Sequence, residues 1–278
     1  MVLKEKRRKV KNLEIGINLF CYSGDNTPDV ERQIELMKEN GFEHTFIMAD
    51  HPQLSGGMVD KVKRAGIAFD TLHAPFNGIN SMWRDGIDGD DMLKTLTDCI
   101  ERCASYDIPV AVCHLSSGKP APVINDIGNR RFSVLMETAQ RKNITIAFEN
   151  QRFIANIASI MEQYPEAAFC WDVGHEGCFT RGIRFMELFG NRLAAVHLHD
   201  NHHLPDGDEH LIPFDGITNY NTVAETLAKY SFGGTVMLEV FKSESNRYEG
   251  FSPEQYYRHA GESARRLATM IEQAKCEA

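Results

Sequence analysis

Short apolar runs alternate with longer stretches of helical periodicity from one end of the chain to the other. The apolar runs fall near residues 15–20, 43–49, 67–72, 109–115, 144–149, 168–172, 193–199 and 235–241. Between them lie segments such as DVERQIELMKENG, where Ile34 and Met37 mark an inner face and Gly41 supplies a C-terminal stop. SPEQYYRHAGESARRLATMIEQA predicts a closing helix with Ser252 as N-cap and Pro253 at its first position. Eight strands, each followed by a helix, predict parallel pairing in an α/β fold, a single (β/α)8 TIM barrel. No Gly-rich or Pro-rich linker divides the chain, so residues 1–278 read as one domain with a basic leader over residues 1–12.

Six of the apolar runs end in a carboxylate or an imidazole. They are TLHAP with His73, AVCHLSSG with His114, ITIAFEN with Glu149, FCWDVGH with Asp172 and His175, AAVHLHD with His197, and VMLEVF with Glu239. Strand C-termini form the face on which such barrels place their active sites. A glutamate inside ITIAFEN or VMLEVF is costly to bury alone. It needs a buried salt bridge or a cation, and no neighbouring Arg or Lys clearly points inward. In WDVGH the glycine permits a sharp turn that brings Asp172 and His175 to one centre. His197 and His199 alternate with Val196 and Leu198, so both rings project to one side of the strand. Mixed His and carboxylate ligation suits Mn²⁺, Zn²⁺, Co²⁺ or Mg²⁺.

Two long connections follow strand ends, residues 74–90 and 200–218. A loop beyond about 12 residues in a compact domain usually has a function or no fixed structure. The first carries Phe76, Trp83 and Arg84, which suit either a lid over a ligand or a loop pinned by a buried aromatic anchor. After the fourth strand, Ser116 to Lys119 (SSGK) can receive a phosphate or serve as an ordinary loop. Arg152, three residues past Glu149, can contact a carboxylate or phosphate.

Composition narrows the setting. Apolar content of 42% and charged content of 25% are those of an ordinary soluble protein. The net charge of −9 gives no general field for nucleic acid or an anionic membrane. Seven scattered cysteines with no CxxC pair point to buried thiols in a reducing, cytoplasmic compartment. No apolar run approaches the roughly 18 residues of a membrane span. The leader lacks the apolar stretch of a signal peptide.

HAPF, FEN, DVGH, HLHDN followed by DEHL, and the final LEVF together resemble the xylose-isomerase-like barrel superfamily, sugar phosphate isomerases and epimerases related to endonuclease IV. The resemblance runs from IGINLF through MLEVF. It implies a divalent metal held by Glu149, Asp172, His197 and Glu239. It also implies further ligands for a cluster of up to three ions at His73, His114, His175, Asp208 and His210.

The resulting expectation is a metal-dependent isomerase or epimerase acting on a sugar, sugar phosphate or polyol-derived substrate through a metal-stabilised enediolate. Glu149 and Glu239 would move the proton, His175 and His199 would orient hydroxyls, Arg152 would bind substrate, and Trp83 would cover the sugar. The alternatives are a dehydratase of the same superfamily, an endonuclease IV-like zinc phosphoesterase, and a barrel that keeps its metal for structure or sensing. Acidic loop residues such as Asp85, Asp88 and Asp206 weigh against a nucleic-acid partner. A small carbohydrate is the expected partner, with no membrane, and barrels of this kind often pair into homo-oligomers.

Overall fold

Parallel strands cannot be joined by hairpins, so each needs a crossover. The computed structural model describes residues 13–24 and 26–277, and the basic leader lies outside the described residues. The strands are β1 (Ile15–Ile17), β2 (His44–Met48), β3 (Ala68–His73), β4 (Val110–Cys113), β5 (Thr145–Glu149), β6 (Ala168–Asp172), β7 (Leu193–His197) and β8 (Val236–Leu238). They form one parallel sheet in the order β7-β6-β5-β4-β3-β2-β1-β8. The ends meet just beyond the regular strands, where the Leu198 amide donates to Met237 at 3.0 Å and the Glu239 amide to Leu198 at 3.2 Å. The barrel is thereby closed.

Helices α1 (Val30–Glu39), α2 (Gly56–Arg64), α3 (Ile87–Ser105), α4 (Asp126–Lys142) and α5 (Ile154–Gln163) follow the first five strands. Two short helices, α6 (Val173–Phe179) and α7 (Phe185–Phe189), follow β6, while α8 (Tyr220–Lys229) and α9 (Pro253–Glu277) follow β7 and β8. Local sequence sets their ends. Asp29 caps α1 by accepting from the Arg32 amide, and Gly41 takes a positive φ of 78° just beyond it. At α9, Ser252 accepts from the Gln255 amide while Gln255 returns a bond to the Ser252 amide, a reciprocal capping box.

The strands are shorter than the apolar runs that predict them. Residues 114–115, 198–199 and 239–241 are spent on the rim rather than on regular pairing, which sets His114, His199 and Glu239 at the C-terminal mouth. Cys21, Cys99, Cys103, Cys113, Cys170 and Cys178 are buried free thiols, as the sequence predicts, and Cys276 is exposed.

Both long loops are part of the scaffold. In the first, a short 3-10 helix (Ile79–Trp83) leads into α3. Arg131 of α4 holds it, donating to the carbonyls of Ser81, Met82 and Arg84 and to the Asp90 carboxylate. Trp83 is 2% exposed, donates its indole N–H to Leu115 at 2.8 Å and packs on Phe132. Its ring also fills the space where a Cβ at Gly128 would stand, 2.1 Å away. Trp83 is therefore a buried anchor, and the expectation that it covers a sugar is corrected.

The second loop is organised by Asp200, whose fully buried carboxylate accepts from the amides of Asn201, Phe214, Gly216 and Thr218. Four backbone donors converge on one side chain, so removing it orphans them together. Asp200→Ala is expected to lower unfolding free energy by roughly 3–5 kcal/mol. Amide exchange should accelerate first across residues 201–218. Denaturation midpoints and exchange rates equal to wild type would refute this role.

Candidate metal centre

Glu149 stands at the middle of the site and is 2% exposed. Its Oε1 lies 2.5 Å from His197 Nδ1 and its Oε2 2.5 Å from His114 Nε2, with His73 Nε2 at 3.6 Å. Glu239 reaches the same His197 Nδ1 at 3.1 Å. Donor atoms of Glu149, Asp172, His197 and Glu239 all lie within 4.8 Å of one another, and so do those of His73, Glu149 and His197. A separate group joins His175, His199, Asp208 and His210 under the same limit. Here His175 Nε2 is 3.0 Å from Asp208 Oδ2, and His199 Nε2 is 3.1 Å from Asp172 Oδ1.

The four residues singled out as the inner ligand set thus converge, and all five of the outer set stand around them. His175 and Arg152 line a cavity of about 350 Å³ above the carboxylates, together with Phe76, Gln151 and Phe179. His199 does not. It is fully buried, stacks under His210 at 4.3 Å and binds both oxygens of Asp172. The expectation that His199 orients substrate hydroxyls is corrected, because its ring sits beneath the cavity and joins the second ligand group. Gly174 is what lets it sit there, since a Cβ at that position would lie 1.9 Å from His199 Cε1. That glycine makes a close approach rather than the sharp turn predicted, and Asp172 instead caps α6 through the His175 amide.

The donors suit a cation. Among the described residues, ion pairs to Glu149, Asp172, Asp208 and Glu239 come from imidazoles alone, with no Lys or Arg. Asp208 Oδ1 is buried and accepts no hydrogen bond. Orientation is built in as well: His73 Nδ1 donates to the Ala74 carbonyl at 2.8 Å, leaving Nε2 for Glu149.

Charge coupling is strong. Burial opposes ionisation of Glu149, but His197 and His114 hold its carboxyl well below the usual range. Burial likewise opposes protonation of His197, which Cys170, Glu239 and Glu149 nevertheless push well up. Asp172 and Asp208 do the same for His175 against its burial. His210, paired with Glu244 at 2.6 Å, rises to about 9 despite burial. His114 goes the other way, lowered by burial in spite of Glu149.

A model of the xylose isomerase-like TIM barrel family matches residues 34–267, most of the chain. The chain belongs to this family. Among curated proteins it is 28% identical over 143 residues to the uncharacterised protein y4fM of Sinorhizobium fredii, covering 48% of this chain and 44% of that one. The barrel also superposes on D-psicose 3-epimerase of Clostridium cellulolyticum H10 with TM-score 0.75 and 16% identity, over 93% of this chain and 99% of that one. The IolI protein with a bound zinc atom matches at TM-score 0.70 and 13% identity, over 92% and 98%. At such identities the structural likeness is one of fold.

Several site residues escape the sequence reading. Gln151 bridges His114, Glu149 and His175 through one amide nitrogen, at 3.2, 3.3 and 3.0 Å. Asn150 ties β5 to β6, exchanging bonds with the Asp172 backbone at 2.8 Å each way. Asn150 is the last residue of the FEN motif and Gln151 follows it, so position alone hints at either.

Protons and a bound cation would compete for these rings. In the metal-free protein His175, His197 and His210 retain protons above the ordinary histidine value of 6.5. A metal bound there would have to expel them. Affinity should therefore keep rising with pH toward about 9 instead of levelling near 6.5. Chelator competition across that range checks it, and an affinity that is flat with pH would refute it.

Proposed function

We propose that the chain is a divalent-metal-dependent isomerase or epimerase of a sugar or sugar-derived substrate. The observation that carries this reading is the meeting of two strand-end glutamates, Glu149 and Glu239, on one imidazole at the floor of a half-open cavity. Glu149, Asp172, His197 and Glu239 would hold the ion. When bound, it would act as a Lewis acid that polarises a carbonyl and makes the neighbouring C–H acidic. Glu149 on β5 and Glu239 past β8 approach the cavity from different sides, so one can take that proton and the other return it. Gln151 fixes the Glu149 carboxylate, and His175 faces substrate hydroxyls from the cavity wall. The 3-epimerase fold likeness supports this reading.

Arg152 supports an anionic end on the substrate. Its guanidinium lies 3.5 Å above the Phe179 ring, and Nε donates to Asp206 at 3.0 Å. Lys119 holds the other oxygen of Asp206 at 2.9 Å, so two cations from different loops converge on one carboxylate at the rim. A substrate phosphate or carboxylate would take the place of Asp206. The SSGK backbone contributes less than predicted, because the Ser117 amide is already donated to Asn80.

A second reading is favoured by the separate group of His175, His199, Asp208 and His210, which isomerisation at the first group does not require. Three imidazoles and one carboxylate suit zinc, and adjoining ions suit phosphoester hydrolysis. The acidic rim and the −9 charge make a small phosphoester a better substrate than duplex nucleic acid.

Proton movement is directly measurable. On ketose or aldose sugars in deuterated water, the wild type should incorporate deuterium next to the carbonyl. Glu149→Gln and Glu239→Gln should each slow exchange at least about a hundredfold. Hydrolysis of a simple phosphodiester without any sugar exchange would overturn the isomerase reading in favour of the second. For Arg152→Gln, KM should rise about tenfold or more for phosphorylated or acidic sugars but little for neutral ones. Equal effects on both classes would refute the anionic end.

A further inference from the structure

The barrel is hollow beneath the candidate metal centre. Side chains two residues apart on a strand share a face. Below His114, Glu149, Asp172 and His197, therefore, Val112, Ala147, Cys170 and Ala195 also point into the barrel. With Ala168 they form a small apolar group separate from the main core. Barrels of this type fill their interior mainly with bulky branched side chains. Here Ala195, with Thr71 and His197, lines a cavity of about 330 Å³. Glu14, His44, Pro109, Ala194 and Thr235 line it, all at strand beginnings, so it opens at the N-terminal face, opposite the centre.

Two residues lining that cavity carry polar atoms with no partner. Thr71 Oγ1 and His197 Nε2 are both buried and without a hydrogen bond, in side chains of residues only 5% and 1% exposed. His197 turns Nδ1 toward Glu149 and Glu239, so Nε2 is the nitrogen left over. The entrance is hydrophilic: His44 sits 2.5 Å from Asp70 and 3.0 Å from Glu14. Buried polar atoms in native proteins find partners, and a polar cavity of sufficient size supplies them as water.

We propose that ordered water, entering from the N-terminal face, bridges Thr71 Oγ1 to His197 Nε2 and orients His197 as a metal ligand. Thr71 is then a positioning residue that acts through water on a ring it does not bond directly. The inference rests on reading His197 as a ligand through Nδ1. Ligating imidazoles usually donate their second N–H to a carboxylate, carbonyl or water, and losing that partner weakens metal binding by about 10–100-fold. Among the described residues the Cys170 thiol, a weak acceptor, lies against His197, yet Nε2 makes no hydrogen bond, so cavity water is the stronger partner open to it.

Thr71→Val replaces the hydroxyl with a methyl of similar size, and Thr71→Ser keeps the hydroxyl. Zinc affinity of the full chain, read by competition with a chromophoric chelator, should fall about tenfold or more in Thr71→Val and recover in Thr71→Ser. A crystal structure of the wild type should show water within hydrogen-bond distance of both atoms. A folded Thr71→Val chain with wild-type affinity, or a dry cavity, overturns the proposal. Should Thr71→Val fail to fold, Ala195→Val narrows the cavity from the opposite wall and should weaken zinc similarly; unchanged affinity again overturns it. Zinc that does not bind the wild type at all overturns the ligand reading together with this one. Zinc that binds wild type and Thr71→Val equally overturns this one alone.

Discussion

Four carboxylates, Glu149, Asp172, Asp208 and Glu239, are gathered at the C-terminal mouth of the barrel, and their ion pairs among the described residues are to imidazoles. Like charges brought together in a poorly hydrated space repel strongly unless protons or a cation intervene. Every other feature of the site serves that gathering. The strands stop early so that their last residues can turn inward. Gly174 gives up a side chain so that His199 can lie beneath Asp172, and Gln151 and Asn150 hold the β5 end in register with β6. Raised imidazoles at His175, His197 and His210 face these carboxylates and offset their charge.

The long loops extend the same logic beyond the strands. Asp200 gathers four amides and thereby shapes the segment that delivers Asp208 and His210. His210 takes a positive φ of 42° and is braced by Glu244, which follows β8. Backbone strain of this kind persists where surrounding contacts determine it, commonly at functional sites. The loop after β3 is immobilised instead by Arg131 and Trp83. One loop contributes candidate ligands and the other a rigid wall.

The barrel and the convergence of Glu149, Asp172, His197 and Glu239 were legible in the sequence because both follow from periodicity. Apolar runs at helix-sized intervals imply parallel strands, and a charged residue at the end of each run is conspicuous against its neighbours. His199 illustrates what is not legible. Alternation continued past β7 turns it inward with His197, yet its depth beneath the cavity depends on the missing side chain of Gly174, a contact from α6 after the neighbouring strand β6. Trp83 shows the same limit, since an aromatic residue in a long loop reads equally well as a lid or an anchor. Packing against Phe132 and Gly128 of α4 decides between them. The hollow beneath the site is also a property of facing strands, since Thr71 and His197 meet it from β3 and β7.

Whether these residues form a joined metal centre is tested most directly by elemental analysis of the purified, full-length chain, paired with anomalous diffraction to place each ion. Two ligand groups predict at least two equivalents of divalent metal, one among Glu149, Asp172, His197 and Glu239 and one among His175, His199, Asp208 and His210. Both should leave only with a strong chelator, and melting temperature should fall as they do. A chain that takes up no divalent metal at millimolar excess, and melts identically with and without chelator, would contradict it.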